Sequence, residues 1–280
     1  MRKLSLIAGA PSHPARMHEH RAGMLLLQRC LGAVAGLQVD LHVDGWVRSD
    51  AALLEADAIA LFADGGQAHP FLTGKRLAAL GTRVAAGMGL GCMHFAVDIP
   101  VERGAAELKA WIGGHYQAGV SCNPIWLARF VRLPEHPITR GVRPFETNDE
   151  WYFAIQFADG YGGTGPTSMA AGTFWPILCA TPSNGVRAGP YVYPKGPYPH
   201  ILAQAGRPEI VMWALERSDG GRAFGLTGGH FHDNWANGDF RKVVLNALVW
   251  IAGATVPPDG VASSLAPHEL DQDLDPAVPS

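Results

Sequence analysis

Short apolar runs alternate with segments of helical periodicity along the N-terminal part of the chain. The apolar runs predict four buried strands, at Leu4–Ala8, Val39–Val43, Ala58–Ala63 and Val84–Met93. Apolar residues at helical spacing predict helices in the intervals, between Gly23 and Gly36, over Ala51–Ala56 and near Gly74–Leu80. This order is typical of a parallel sheet with helices on both faces. We therefore predict an α/β fold with a doubly wound, mainly parallel sheet.

The pattern becomes less regular after the helix predicted at Glu107–Trp111. Residues 127–133 and 145–155 are predicted to form strands of a mixed or antiparallel extension. A tract at about 157–207 is rich in Gly, Pro and Tyr. It predicts an irregular but ordered insertion or lid, interrupted by one strand near Ile177–Ala180.

Regular periodicity returns in the last part of the domain. Two strands are predicted at Ile210–Leu215 and Ala223–Thr227, and apolar positions from Phe240 to Ile251 follow the spacing of an amphipathic helix. The sequence thus predicts a single domain over residues 1–255. Residues 256–280 are predicted to form an extended C-terminal tail.

Composition supports a folded protein and excludes several classes. Of 280 residues, 48% are hydrophobic and only 17% are charged, which excludes a disordered chain. The net charge is −3 and no basic run occurs, so a nucleic-acid partner is not expected. No apolar stretch approaches the roughly 20 residues that span a membrane, so a membrane partner is not expected either. The eight tryptophans permit a homo-oligomer.

The N-terminus and the cysteines bear on the cellular compartment. Residues 1–9 resemble a signal peptide, but their apolar core is short and Pro11, His13 and Pro14 follow at once. A first strand is the better interpretation. The four cysteines are widely spread without a CxxC motif, which fits reduced thiols in a cytoplasm.

Histidines cluster at the predicted carboxyl ends of strands, where ligands bind in open α/β sheets. They follow the first, third, fourth and last strands, as His13, His18, His20, His69, His94, His230 and His232. Loops from parallel strands converge on one rim, so His13, His94 and His230 are expected to meet there, joined by Asp149 or Glu150. Imidazole and carboxylate ligands suit a divalent metal, zinc above all. The alternative is that several histidines, His18 among them, are surface or capping residues.

The segment Asp149-Glu150-Trp151-Tyr152 places two carboxylates beside two aromatic rings. A carboxylate here is a candidate metal ligand or general base, and a solvated acidic turn is the alternative. Trp151, Tyr152 and Trp235 are candidate stacking faces for a sugar ring, with a place in the core as the alternative.

A cysteine near the end of the fourth strand raises the question of a nucleophile. A nucleophile elbow needs small residues on both sides, as in G-x-C-x-G, but Met93 and His94 follow Cys92. Cys92 is therefore expected to point into the core, with nucleophilic catalysis as a minor alternative. Gly65 and Gly66 are candidates for an oxyanion cradle of backbone N–H groups, or for a simple tight turn. No P-loop or GxGxxG motif supports a nucleotide cofactor.

Several motifs together resemble those of the ThuA-like (trehalose-utilisation) family, within the class I glutamine amidotransferase-like superfamily. They are Pro11-Ser12-His13, Glu19-His20-Arg21-Ala22-Gly23, Asp64-Gly65-Gly66, Cys92-Met93-His94, His136-Pro137-Ile138-Thr139-Arg140-Gly141, Asp149-Glu150-Trp151-Tyr152 and Thr227-Gly228-Gly229-His230-Phe231-His232-Asp233-Asn234-Trp235. The resemblance covers residues 1–253. It implies a flavodoxin-like sheet, a pocket at its carboxyl rim and a role in the catabolism of trehalose and other glycosides through 3-keto sugars. It also implies that His13, His94, Glu150 and His230 line a metal-compatible site without the Cys-His-Glu chemistry of amidotransferases.

The leading hypothesis is an enzyme that acts on a small carbohydrate, a sugar or 3-keto-glycoside, by metal- or histidine-assisted acid–base chemistry. It would be a lyase, isomerase or hydrolase. The expected catalytic residues are Glu150, His94 and His20. The expected substrate-binding residues are Arg21, Gly65, Gly66, Trp151, Tyr152, His232, Asn234 and Trp235. The alternatives are a non-catalytic carbohydrate-binding or regulatory protein on the same fold, and glutamine hydrolysis through Cys92.

Overall fold

The computed structural model describes residues 1–275, and the regular elements within that range are dominated by one large sheet. The strands are β1 (Arg2–Ala8), β2 (Leu37–His42), β3 (Ala58–Phe62), β4 (Gly89–Met93), β5 (Gly114–His115), β6 (Ile125–Phe130), β7 (Phe145–Glu150), β8 (Gln156–Phe157), β9 (Thr167–Met169), β10 (Gly172–Ala180), β11 (Glu209–Arg217) and β12 (Arg222–Leu226). The helices are α1 (His20–Leu31), α2 (Asp50–Glu55), α3 (Arg76–Ala85), α4 (Ala105–Ile112), α5 (Asn184–Arg187), α6 (Pro199–Leu202) and α7 (Gly238–Ile251).

The central sheet has eight strands in the order β2-β1-β3-β4-β12-β11-β10-β9. Its first five strands are parallel, and β11, β10 and β9 add to β12 in antiparallel fashion. This is the mainly parallel, flavodoxin-like α/β fold that the alternation of strands and helices predicts. Its parallel half brings the carboxyl ends of β1, β3, β4 and β12 to one edge.

Two hydrophobic layers cover the two faces of the sheet because successive strand residues point to opposite sides. In β3, Ala58, Ala60 and Phe62 pack on one side with the buried faces of α1 and α7. Ile59 and Leu61 pack on the other side with α3 and α4. Helices therefore lie on both faces, as the strand-helix pattern predicts.

Three predicted strand boundaries are wrong by five residues, because β4 begins at Gly89, β10 begins at Gly172 and β7 ends at Glu150. Val84 belongs to α3 rather than to β4, because its side chain is buried against the sheet from the last turn of that helix. The strand predicted near Ile177–Ala180 begins already at Gly172 and belongs to the central sheet. Pro176 hides this strand in the sequence, since proline usually interrupts strands, and the structure accommodates it with an irregular register against β11.

The tract at 157–207 is therefore more than a lid over the domain. It contributes β9 and β10 to the central sheet, and only its second half forms short helices and loops, around α5 and α6. Residues 127–133 and 145–155 were expected to extend a sheet. The strands there, β6 and β7, form a separate antiparallel ribbon.

The C-terminal segment lies against the domain as far as the structure describes it. Val256 and Val261 are buried, the Asn246 side-chain oxygen accepts a hydrogen bond from the Val261 N–H, and Arg241 contacts Ser263. The last part of the predicted tail, residues 276–280, lies outside the described residues. Within residues 1–275, no helix combines the length and apolar character needed to cross a membrane. All four cysteines are free thiols.

Candidate metal centre

Four adjacent parallel strands deliver polar side chains to the same rim of the sheet. The loop after β1 carries His18, β3 leads to Asp64, β4 leads directly to His94, and β12 leads to His230. The ribbon strand β7 ends there with Glu150. Strand topology, rather than closeness in sequence, creates this cluster.

Backbone pairing fixes the two histidine-bearing loops against each other. The His18 N–H donates to the His230 carbonyl (3.0 Å), and the His232 N–H donates to the Arg16 carbonyl (3.0 Å). Arg16 and His18 both adopt left-handed backbone conformations, with φ of 66° and 50°. This turn directs the His18 ring inward, where it is 3% exposed.

The cluster consists of His18, His94, Glu150 and His230, whose ligand atoms all lie within 4.8 Å of one another. His94 Nε2 is 2.9 Å from His18 Nε2 and 3.4 Å from Glu150 Oε2. His230 Nδ1 is 3.0 Å from His18 Nε2 and 3.3 Å from Glu150 Oε2. All four side chains are buried.

The hydrogen bonds behind the cluster determine which ring atoms carry lone pairs. His94 Nδ1 lies 2.7 Å from the Thr227 carbonyl, which can only accept, so Nδ1 donates and Nε2 keeps its lone pair. Burial lowers the pKa of both the His94 and His18 imidazoles, so the neutral form is favoured at each. The Nε2 lone pair of the neutral His94 ring therefore faces His18 Nε2 and the Glu150 carboxylate.

This donor set fits a divalent cation. Without a cation, His18 Nε2 has at most one proton to share between the ring nitrogens of His94 and His230. Neutral imidazoles and a carboxylate are the ligands that zinc prefers, so a bound cation would satisfy all of these atoms at once. A tetrahedral zinc with bonds of about 2.0 Å would place neighbouring ligand atoms about 3.3 Å apart. Four of the six separations lie at 2.9–3.4 Å, close to that value, and all six are within 4.8 Å. The chemistry and spacing of these residues thus fit a zinc-like ion.

Asp149 supports the cluster through hydrogen bonds to the backbone that carries Glu150 and His230. Its carboxylate is fully buried and accepts hydrogen bonds from the backbone N–H groups of Gly229 (2.7 Å), His230 (3.1 Å) and Glu150 (2.8 Å). It therefore ties the ribbon to the loop after β12. Glu150 itself is oriented by Asn123, whose Nδ2 donates to Oε1 at 2.8 Å and leaves Oε2 to the histidines. Such supporting partners tune metal ligands.

The sharp turn after β4 is centred on His94 rather than on Cys92. His94 has a φ of 55°, a left-handed conformation that costs energy for a residue other than glycine and is often associated with functional sites. Cys92 points into the core with no exposed surface, and burial raises the pKa of its thiol. This geometry opposes the nucleophile role and agrees with a core position.

A cavity of about 300 Å³ opens beside the cluster. Its lining includes Phe95, Asp98, Tyr116, Asn123, Tyr152 and Tyr193. Two of these residues reach the cluster, since the Tyr152 hydroxyl is 3.5 Å from His94 Nε2 and Asn123 holds Glu150. A larger cleft of about 820 Å³ between β6 and β10 has no histidine or carboxylate in its described lining. The smaller cavity is therefore the better candidate for a reactive site.

Trp151 and Trp235 do not offer faces to a sugar in this structure, contrary to the prediction. Both are almost fully buried, and both rings pack against Phe240. Burial of two large indole rings removes apolar surface from water, and the free energy gained explains why both tryptophans lie in the core. Tyr152, by contrast, does line the cavity.

His13 and His20 lie beside the cluster rather than in it. The His13 ring stacks on His18 with centroids 3.5 Å apart, and its Nδ1 lies 3.6 Å from Asp64 Oδ1. His18 therefore occupies the ligand position that was predicted for His13, because the turn at residues 16–18 carries its ring inward. His20 is buried one layer further back, near the Ala10 carbonyl (3.2 Å) and Asp64.

The other predicted substrate-binding residues lie away from the cavity lining. Arg21 is exposed on α1, and His232 is buried with neither ring nitrogen hydrogen-bonded to a described residue. Asn234 donates its side-chain N–H to the Asn148 carbonyl (2.9 Å). Gly65 and Gly66 form a tight turn, and the Gly66 N–H is used by the Asp98 carbonyl (2.9 Å). That bond removes one donor from the proposed oxyanion cradle.

Three residues of the site were not singled out as its members from the sequence: His18, Asn123 and Asp98. His18 is one of the predicted rim histidines, but only its loop conformation distinguishes it from His13. Asn123 and Asp98 carry no local motif that marks them.

Comparison with known proteins identifies the family. Similar solved structures include a ThuA-like protein from Bacteroides uniformis, with a TM-score of 0.59, 15% identity and coverage of 89% of this chain and 91% of that chain. Another is a ThuA-like protein from Parabacteroides merdae, with a TM-score of 0.58, 14% identity and coverage of 91% and 92%. No curated protein matches the chain in sequence. The model of the ThuA family, described as trehalose utilisation, matches residues 12–251. Because that match spans most of the chain, the protein belongs to the ThuA family.

Proposed function

We propose that this protein is a metal-dependent enzyme that acts on a sugar or 3-keto-glycoside. The proposal rests on one observation. Four side chains converge beside a cavity of about 300 Å³, and they are His18, His94, Glu150 and His230. That volume is at the lower end of small-molecule sites and suits a single sugar ring. The family description, trehalose utilisation, supports a carbohydrate substrate.

His18, His94, Glu150 and His230 are the residues that would hold the cation. When bound, a divalent cation acts as a Lewis acid that polarises a substrate carbonyl oxygen. Asp149 and Asn123 keep the ligands in place, so little reorganisation is needed at the moment of reaction.

The cavity residues supply binding and exclude water. Phe95, Tyr116, Tyr152 and Tyr193 give the cavity a mostly apolar lining, against which the faces of a sugar ring can pack. A 3-keto group acidifies the neighbouring C2–H bond, so a base in this cavity would promote elimination or isomerisation. Glu150 is poorly placed for that role, since Asn123 binds one carboxylate oxygen and the histidines surround the other.

The first test concerns the metal. We expect the purified protein to bind about one equivalent of Zn²⁺ by calorimetry, and His94→Ala to lose at least tenfold in affinity. His268→Ala is the matched control, because His268 is an exposed histidine of the C-terminal segment. Zn²⁺ at 100 times its Kd should stabilise the fold by about 2.7 kcal/mol, visible as a chelator-sensitive melting temperature.

The second test concerns turnover. Zinc-loaded protein should convert 3-ketotrehalose, and His94→Ala should not. Unchanged turnover by His94→Ala would contradict the role of the cluster. Sugar binding without a bound metal and without turnover would instead support the non-catalytic carbohydrate-binding alternative.

A further inference from the structure

A single carboxyl group in the cavity has no explained role in the fold. Asp98 lines the cavity with Tyr116 and Tyr152. Among residues 1–275, no side chain forms an ion pair or hydrogen bond with its half-buried carboxylate, whereas the buried carboxylate of Asp149 and the half-buried one of Glu209 are hydrogen-bonded. Unpartnered carboxyl groups in apolar surroundings are costly, so they are often retained for function.

The backbone around Asp98 is held firmly, so the position of its side chain is defined. The Asp98 N–H donates to the Phe95 carbonyl (2.9 Å), and its own carbonyl accepts from the Gly66 N–H (2.9 Å). A Cβ on Gly65 would lie 2.0 Å from the Phe95 carbonyl oxygen and 2.6 Å from that of Asp98. The absence of a side chain at Gly65 therefore lets the turn at Gly65 and Gly66 pack closely against residues 95–98.

The surroundings of Asp98 favour proton transfer near neutral pH. Burial raises the pKa of its carboxyl to about 7, and the titratable groups that line the same cavity are the phenols of Tyr116, Tyr152 and Tyr193. Burial also raises the pKa of the Tyr116 and Tyr152 phenols, so these two stay neutral. A group that titrates near the working pH is well matched to general acid–base catalysis.

We propose that Asp98 is the catalytic base that removes the proton next to the substrate carbonyl. This inference rests on the proposed function and names the proton acceptor that the metal cluster lacks. The cavity connects the two, because Tyr152 and Asn123 contact the cluster at one end while Asp98 lines the same space.

The proton and electron changes balance on the substrate and Asp98 alone. The C2–H bond breaks, the proton binds an Asp98 carboxylate oxygen, and the electron pair forms a C2=C3 bond while the C3 oxygen takes the negative charge. Return of the proton to C2 gives exchange. Alternatively the C3=O bond re-forms, C1=C2 forms, the bond from C1 to the glycosidic oxygen breaks, and that oxygen takes the proton from Asp98. The products are an unsaturated keto sugar and an alcohol, and the carboxylate is regenerated.

The test measures proton abstraction directly. Zinc-loaded protein is incubated with 3-ketotrehalose in D₂O, and exchange at C2 is followed by NMR. We expect Asp98→Asn to lose at least 100-fold in exchange rate, with Zn²⁺ affinity and melting temperature unchanged. Glu102→Gln is the matched control, since it removes an exposed carboxylate from the same loop region and should exchange as the wild type does. Asp98→Glu should retain a rate that rises with pH through the titration of the carboxyl, whereas Asp98→Asn should lose that rise.

A second readout does not depend on activity. In metal-free protein labelled with ¹³C at aspartate carboxyl groups, the signal that disappears in Asp98→Asn should titrate near pH 7. A midpoint near the ordinary aspartate value of about 4 would overturn the proposal. Exchange by Asp98→Asn within threefold of the wild type would also overturn it while leaving the proposed function intact. Absence of exchange in the wild type would refute the proposed function itself, and the base role of Asp98 with it.

Discussion

Replacement of Asp149 by asparagine tests whether the buried carboxylate organises the candidate metal centre. In the wild type, one carboxylate oxygen accepts from Glu150 N–H (2.8 Å) and His230 N–H (3.1 Å), and the other accepts from Gly229 N–H (2.7 Å). Asparagine has nearly the same shape, but one of its two terminal groups is an NH₂ donor. Whichever way the amide turns, a donor will face at least one backbone N–H.

The expected cost follows from these contacts. Losing a hydrogen bond to a charged group costs about 1.5–3 kcal/mol, and leaving a buried N–H without an acceptor costs about 1–3 kcal/mol. Because the charged carboxylate is itself disfavoured by burial, part of this cost is offset. We therefore expect Asp149→Asn to lower the free energy of unfolding by about 2–4 kcal/mol. Loosening of the loop that carries His230 should also weaken Zn²⁺ binding about 10–100-fold.

The assay is urea denaturation of metal-free protein, followed by calorimetric titration with Zn²⁺. Glu146→Gln is the matched control, because Glu146 lies on the same strand with its side chain exposed and should change stability by less than about 0.5 kcal/mol. If Asp149→Asn unfolds within about 0.5 kcal/mol of the wild type and binds Zn²⁺ within threefold, the carboxylate does not organise the centre.

Three further predictions concern the surrounding structure. His69 is buried and its pKa is lowered to about 4, so the folded state disfavours its protonation and stability should fall by up to about 3 kcal/mol as pH drops from about 6.5 to about 4. Urea denaturation across that range should show the loss, and His69→Gln should flatten its slope. Cys92 should resist a glutamine-analogue electrophile in the native protein, since its thiol is buried; mass-spectrometric labelling of Cys92 before unfolding would contradict this. Gly228→Ala should lower stability by about 1–3 kcal/mol, because its Cβ would lie 2.3 Å from the Trp151 ring; an unchanged melting temperature would show that the ring moves freely.

The position of the site could be predicted because it depends on strand topology. Apolar runs separated by helical segments predict parallel strands, and the residues that follow such strands share a rim. His94 and His230 were placed correctly on that rim by this reasoning alone. The strand at Gly172–Ala180 could not be read in full, because Pro176 interrupts the pattern and only pairing with β11 compensates.

Which histidine joins the candidate metal centre depended on loop conformation. His13 and His18 lie in the same loop, and neither periodicity nor composition distinguishes them. The left-handed turn at Arg16 and His18, stabilised by pairing with the segment after β12, brings His18 inward and leaves His13 stacked outside it. The roles of Trp151 and Trp235 also depended on the tertiary structure. An indole suits either the core or a sugar-stacking surface, and only the burial of these two rings shows that they belong to the core.

The sequence by itself determined the α/β architecture, the rim of the sheet where His94 and His230 meet and the family to which the chain belongs. These follow from patterns that local chemistry enforces, in strands with period two, helices with period 3.6 and motifs that are contiguous. Only the tertiary structure decided that His18 joins His94, Glu150 and His230, that Asp149 binds the backbone of Glu150 and His230, and that Asp98 lines the adjacent cavity without a side-chain partner among residues 1–275. Each of these features joins residues that are far apart in the chain, and their meeting is set by packing and by backbone turns that the local sequence does not specify.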